Sequence, residues 1–294
     1  MKTSSPTGMP LDSAQRGDGP YVWRFNTYHR VTHAVVIVSF FLLTLTGLPL
    51  RFSCALWSVP LIRLFGGVEM AGTIHRIAAV MTFGYFGAHL GWLAWLIARA
   101  KDKRSLFWGP DSMVPQPRDV VDFVRQIRWY LGRGPRPRFP RFSYMEKFDY
   151  FAVFWGVFII GGSGLLLWFP EFFSRWLPGW VYNVATVIHA DEALLASGFI
   201  FSIHFFHVHF RPDKFPIDAV MFHGRATREY MEEEHPELAD QLPDGGEISR
   251  TSRADHFAPP PTRQQTLTAA VLGFAALAVG ILCVGGIIWA VSFC

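Results

Sequence analysis

Charge is scarce in this 294-residue chain: Asp, Glu, Lys and Arg make up 17% of it, against 51% hydrophobic and 16% aromatic residues, and the mean hydropathy is positive at +0.23. Soluble domains carry about 25% charge, so the composition points to the membrane class. Cysteine is scarcer still. Cys54, Cys283 and Cys294 stand too far apart in sequence for a zinc knuckle, an iron–sulfur ligand run or a CxxCH site for covalent haem. The chain also lacks a Gly-rich phosphate loop, a nucleophile motif and a flavin or nicotinamide fingerprint, which removes the common soluble-substrate chemistries. Residues 1–30 contain no apolar core segment, so a cleavable signal peptide is not expected. The net charge of +4 does not indicate a nucleic-acid partner, because the basic residues sit in loops beside apolar segments.

Those apolar segments are what the chain has in place of charge. A transmembrane helix needs about 20 mostly apolar residues. Five stretches qualify: 31–50, 74–97, 150–169, 187–210 and 267–293. Trp57, Trp108, Trp129, Tyr144, Trp176, Trp180 and Tyr182 cluster near their ends, where amphipathic rings favour the interface. The expected fold is therefore an all-α integral membrane protein. It divides into an N-terminal arm (1–30), a four-helix part (31–210), a solvated acidic and Pro-rich linker (211–264) and a fifth membrane helix (265–294). Within the basic loop, 118–131 mixes Val120, Val121, Phe123, Val124, Ile127 and Trp129 with charged residues and predicts a helix lying on the membrane surface.

Lys and Arg set the expected orientation: 12 lie between Arg99 and Lys147, against 2 between helices one and two and 1 between helices three and four. The basic loop belongs inside. The N-terminus and 211–264 then fall on the cytoplasmic side, and Cys294 on the periplasmic side of a bacterial inner membrane.

Ionisable residues are costly in a bilayer and mark function there. Seven of the 11 histidines fall in three of the five spans: His33 in the first, His75 and His89 in the second, and His189, His204, His207 and His209 in the fourth. His75 and His89 are about 21 Å apart along a helix, and His189 and His204 about 22 Å. Two levels of imidazole, one per leaflet, suit two stacked haems. His75 with His189 forms the expected outer pair. At the inner level His33, His89, His204 and His207 compete; depth alone favours His89 with His204. A third haem, held by His89 and His207, stays open. His29 and His209 read as helix-end histidines reaching for the interface. Asp191 and Glu192 follow His189, and Glu192 shares its side of the helix. Eight glycines (Gly47, Gly84, Gly87, Gly91, Gly161, Gly162, Gly164 and Gly198) could let a flat macrocycle approach the backbone, or serve ordinary close packing.

The string His29-Arg30-Val31-Thr32-His33 leading into Leu45-Thr46-Gly47, the Ile74-His75-Arg76 opening of helix two, and the pair His189 and His204 resemble the cytochrome b subunits of formate dehydrogenase-N and of membrane-bound nickel–iron hydrogenases. The text from Gly198 through His204 and His207 to Arg211-Pro212-Asp213-Lys214-Phe215-Pro216 is similar to a branch associated with multihaem c-type cytochromes. The resemblance spans residues 21–225. It implies a four-helix haem-binding bundle with b haems, at least two, and a quinone site near the inner haem. His33 and His204 would be the inner ligands, and His75 and His189 the outer ones. The partner would be a periplasmic multihaem cytochrome, or an iron–sulfur, molybdenum or hydrogenase subunit. Family position places Asn26, Arg30 and Lys214 near the quinone. The expected role is a quinone-reactive electron-transfer subunit of a respiratory complex; a proton-coupled transporter or a plain membrane anchor using the same histidines is the alternative. The added His89, His207 and fifth helix depart from the family pattern. The glycines of that helix, Gly273, Gly280, Gly285 and Gly286, are expected to dock a partner subunit.

Overall fold

The computed structural model describes residues 21–212, 214, 215, 217–242 and 257–294. Residues 1–20 of the expected arm and 243–256 of the expected linker lie outside them. The described chain is helical apart from one small sheet, and five helices are long and apolar enough to cross a membrane. They are span 1 (Thr27–Arg51), span 2 (Val68–Arg99), span 3 (Tyr144–Trp168), span 4 (Trp180–Phe210) and span 5 (Arg263–Phe293). Each begins before the apolar run does, because a polar cap can sit beyond the hydrocarbon. Asn26, Ser143 and Thr262 accept backbone N–H groups of the first turns of spans 1, 3 and 5.

Packing is inverted relative to a soluble bundle. Many buried residues of the spans are small or polar, among them Ser39, Thr44, Thr46, Ala71, Ala78, Ser163, Ala185 and Ser197, alongside a few large ones such as Phe86, Phe201 and Phe205, while Val38, Ile77, Val80, Leu195 and Leu282 face outward. Small residues let helix backbones approach, and the large apolar ones suit lipid. Span 1 packs along span 2, span 3 along span 4, and spans 1 and 4 meet at Thr44 and Ser197, whose hydroxyls lie 3.4 Å apart. The surface helix Pro117–Tyr130 shows the same inversion: Asp122 and Gln126 are buried, and Val120, Val121, Phe123, Val124 and Ile127 are exposed. Asp122 binds Arg118 and Arg125, and Asp119 pairs with the buried Lys147 of span 3 at 2.9 Å. An apolar face turned outward from a helix pinned by its polar face is the arrangement a lipid surface rewards.

Span 5 uses three of its four glycines within the chain, and only Gly285 would meet nothing within 4 Å, so the expectation that these glycines dock a partner is narrowed to that position. A side chain at Gly280 would run into Phe201 and Phe205 of span 4, one at Gly286 would meet Trp57, and one at Gly273 would overlap Ile217. Directly after span 5, Cys294 is disulfide-bonded to Cys54 after span 1 across 240 residues of sequence, with Cα atoms 6.0 Å apart. Cysteine spacing gave no sign of this bond, because the two are neighbours through the bundle and not along the chain.

At the opposite end the expected linker is partly folded. Strands β1 (Tyr21–Trp23), β2 (Arg225–Thr227) and β3 (Phe257–Ala258) form an antiparallel sheet in the order β2-β1-β3. Val22, Val220, Ala226, Met231 and Ala239 make a small apolar core beneath it. Ion pairs fasten this cap to the chain before span 3: Arg136 with Glu233 and Glu234, Arg138 with Asp240, and Arg118 with Glu237. At its centre the buried Arg24 donates to the Arg141 carbonyl, to Glu146 and to His235 Nε2 at 2.6, 2.8 and 3.3 Å. His235 Nδ1 donates to the Pro140 carbonyl at 3.0 Å, so the ring accepts from Arg24 only while neutral. Burial, with Arg24 beside it, holds the His235 pKa below its ordinary 6.5. Burial alone would raise the Glu234 carboxyl, but Lys214 and Arg211 outweigh it and leave it lowered from 4.5. Both groups therefore bind protons more readily when unfolded, and their contribution is lost as pH falls. The cap is expected to loosen below pH 6.5 through His235 and further through the carboxylate range. Protease cleavage within 211–242 at pH 7 and pH 5 measures this; equal rates would contradict it.

Candidate functional site

His75 and His189 come together as the sequence reading expected. Their ring centroids are 6.2 Å apart, from spans 2 and 4. Each is held by its Nδ1, and the hydrogen-bond pattern fixes the tautomer. The single hydroxyl proton of Thr46 goes to the Leu42 carbonyl at 2.6 Å, so its oxygen accepts from His75 Nδ1 at 2.9 Å. His189 Nδ1 donates to the Ile160 carbonyl at 2.9 Å. In both rings the lone pair is left on Nε2, the state in which an imidazole binds a metal, with its other nitrogen orienting it.

Ile160 lies in a π-helical turn, Val157–Gly161, inside span 3. Such turns widen the helix and recur at functional sites. Gly47 and Gly164 back the two histidines. A Cβ at Gly164 would come within 3.0 Å of the His189 ring, and one at Gly47 within 3.4 Å of the His75 ring. These two glycines make room for imidazole rather than for a macrocycle. A Cβ at Gly84, Gly87, Gly91, Gly162 or Gly198 would touch nothing within 4 Å, and one at Gly161 would press on Phe83.

The inner level is built around His204. Its Nδ1 donates to Asp149 Oδ2 at 2.8 Å, which again leaves Nε2 with the lone pair. His204 ends one π turn of span 4, Ile200–His204, and a second, Phe206–Phe210, follows. Hydrogen bonds in a π turn run to the fifth residue, so residues five apart approach one face. His209 accordingly turns inward. It is 9% exposed, its ring packs on Phe205, and its Nδ1 is buried without a hydrogen-bond partner. Its expected role at the interface is therefore corrected. An α-helical projection sets His204 and His209 well apart in angle, which is why sequence reasoning passed over it. His33 lies half-buried on span 1.

His89 is not arranged as a ligand. Its Nδ1 is 3.1 Å from the Tyr28 hydroxyl and its Nε2 2.8 Å from the Tyr150 hydroxyl, so neither nitrogen is left for a metal. These two hydrogen bonds compete with the two candidate pairings that used it, with His204 and with His207. His207 lies on the last π turn with its ring against Phe206. The three residues placed near a quinone hold structure. Asn26 caps span 1, Arg30 Nε donates to the Phe222 carbonyl at 2.9 Å, and the buried Lys214 lies over the Tyr230 ring, 3.4 Å from Asp218. Asp191 pairs with Arg51, and Glu192 accepts from the Trp155 indole at 3.4 Å.

Among the described residues no three His, Cys, Asp or Glu side chains converge to hold a bare metal ion. His75 and His189, each with Nδ1 committed and with ring centroids 6.2 Å apart, are the residues that could hold an iron carried by a porphyrin, which would ask for two protein ligands rather than three or four. In comparisons with known proteins, no family model and no curated protein matches this chain.

Proposed function

We propose that this chain is a membrane electron-transfer subunit of a respiratory complex, a cytochrome b that carries electrons between the quinone pool and a redox partner at the outer surface. The observation that carries the reading is the His75–His189 pair, two imidazoles at ligand spacing, each with Nδ1 committed and Nε2 available. These histidines would hold the outer haem b within the first four spans. His204, oriented by Asp149, would hold the inner one, with His33 of span 1 the second ligand that the family resemblance implies. Iron with two histidine ligands has no open position, so it supplies one-electron transfer and not oxygen chemistry. The chain's own residues do the rest: Thr46, Ile160 and Asp149 orient the ligands, and Gly47 and Gly164 admit them.

Sidedness has support beyond the count of basic residues. Disulfides persist in oxidising compartments, and Cys54–Cys294 joins the two segments expected outside. The cap of β1, β2 and β3 gathers the segments expected inside. The partner would then meet the outer end of the spans, in the periplasm of a bacterial cell. The transporter alternative asks for helices unwound at mid-membrane, whereas spans 3 and 4 run on through their π turns. Anaerobic addition of a quinol to the purified, haem-loaded protein tests the proposal. Haem reduction is expected. Reduction by dithionite but by no quinol would contradict the quinone link.

A further inference from the structure

The most ordered polar cluster outside the ligand pairs is centred on His89. Tyr28 of span 1 and Tyr150 of span 3 hold its two ring nitrogens at 3.1 and 2.8 Å, and Trp92 stacks on its ring at 5.6 Å. A neutral imidazole donates from one nitrogen and accepts at the other. One tyrosine must therefore donate to His89 and the other accept from it. When the roles exchange, one proton has moved from one tyrosine end to the other without any group leaving its place. Bracing alone would be met by one such bond. Two bonds through one imidazole make a continuous path across three spans.

The two ends of the path differ. Tyr28 lies on the first turn of span 1, next to the exposed Thr27 and beside His29, at the end that carries the sheet cap. Tyr150 sits deeper in chain terms, on the turn of span 3 that also carries Asp149, the partner of His204. Its ring contacts Phe151 and Phe154, and Phe151 is 42% exposed on the outward face of the bundle. One end thus lies next to exposed polar residues, and the other next to an exposed phenylalanine on the span that also carries Asp149.

We propose that Tyr28, His89 and Tyr150 are a proton relay for a lipid-borne quinone that reacts beside Tyr150. This rests on the quinone-linked reading above. A quinol oxidised there gives two electrons, one at a time, to the haem chain, and must shed two protons. For each, Tyr150 takes a proton from the quinol hydroxyl and passes its own to Nε2. His89 releases its Nδ1 proton to Tyr28, and Tyr28 releases one to water. Reversal of the hydroxyl and ring tautomers restores the path before the second proton, and quinone reduction runs the same steps backward.

The test uses His89→Gln and Tyr150→Phe in the full haem-loaded protein, measuring haem content, dithionite-reduced spectrum and the rate of quinol-driven haem reduction in H₂O and D₂O. Positioned acid–base groups contribute about 10²–10⁴ in rate. Both variants are expected to keep wild-type haem content and spectrum, to lose at least ~10-fold in quinol-driven rate, and to change the solvent isotope effect. A residue that only braces the helices would leave that isotope effect unaltered. Wild-type rates in both variants, or loss of haem in His89→Gln with a normal rate in Tyr150→Phe, would overturn the relay while leaving the quinone reading intact. A wild-type protein that takes up haem and reacts with no quinol would overturn both.

Discussion

Replacing His189 with alanine is expected to remove one of two haems and leave the other. The imidazole is held at Nδ1 by the Ile160 carbonyl at 2.9 Å, in the π turn of span 3, with the Ser163 hydroxyl 3.4 Å from the same nitrogen. Alanine would remove the proposed ligand outright, and no other described histidine has a ring contact with His75. Haem content per polypeptide should fall from two to one. Gly164→Ala should produce a weaker form of the same loss, since the new methyl would press within 3.0 Å of the His189 ring. Gly47→Ala, with a contact of 3.4 Å to His75, is ordinary van der Waals packing and should cost little. Equal effects from the two glycine variants would contradict this account of the ring positions.

The inner level should respond just as strongly to His204→Ala, with retention of the outer haem. Asp149→Ala separates orientation from ligation. It keeps the His204 ring but removes the acceptor of its Nδ1–H. Losing such an orienting partner typically costs 10–100-fold in metal affinity, that is about 1.4–2.7 kcal/mol. The inner haem of this variant should be lost on dilution or mild washing, and the outer one kept. Because His209 lies on the π turn after His204, buried and with Nδ1 unpartnered, His209→Ala belongs in the same series. It should keep both haems if His204 is the ligand. Loss of the inner haem in His209→Ala but not in His204→Ala would reassign that ligand.

The five spans were legible in the sequence because hydropathy over about 20 residues is a strong, local signal. The pairing of His75 with His189 was legible for a similar reason. Each lies near the start of its own apolar run and before any irregular turn, so α-helical arithmetic held as far as those positions. It failed beyond Ile200, where two π turns alter the angle per residue and bring His209 inward. Nothing in the string Phe201 to Phe210 announces a π turn. The fate of His89 was hidden for another reason. Tyr28 and Tyr150 are each 61 residues from it, and only packing of three spans reveals that both its nitrogens are used. The expected linker misled because its charge suggested solvation. Those charges instead pair with Arg118, Arg136 and Arg138 and close a cap over strand β1. The Cys54–Cys294 bond had no sequence signature, since it depends on where the fifth span docks.

The central claim is that paired membrane histidines of this chain hold b-type haem. The most direct measurement is the haem content of the purified, haem-supplied protein, taken with its reduced-minus-oxidised optical spectrum. The account predicts two haems per polypeptide with the bands of low-spin iron bound by two histidines. A well-folded, haem-supplied preparation that binds none, or whose haem is unaffected by His75→Ala and His189→Ala together, would contradict it.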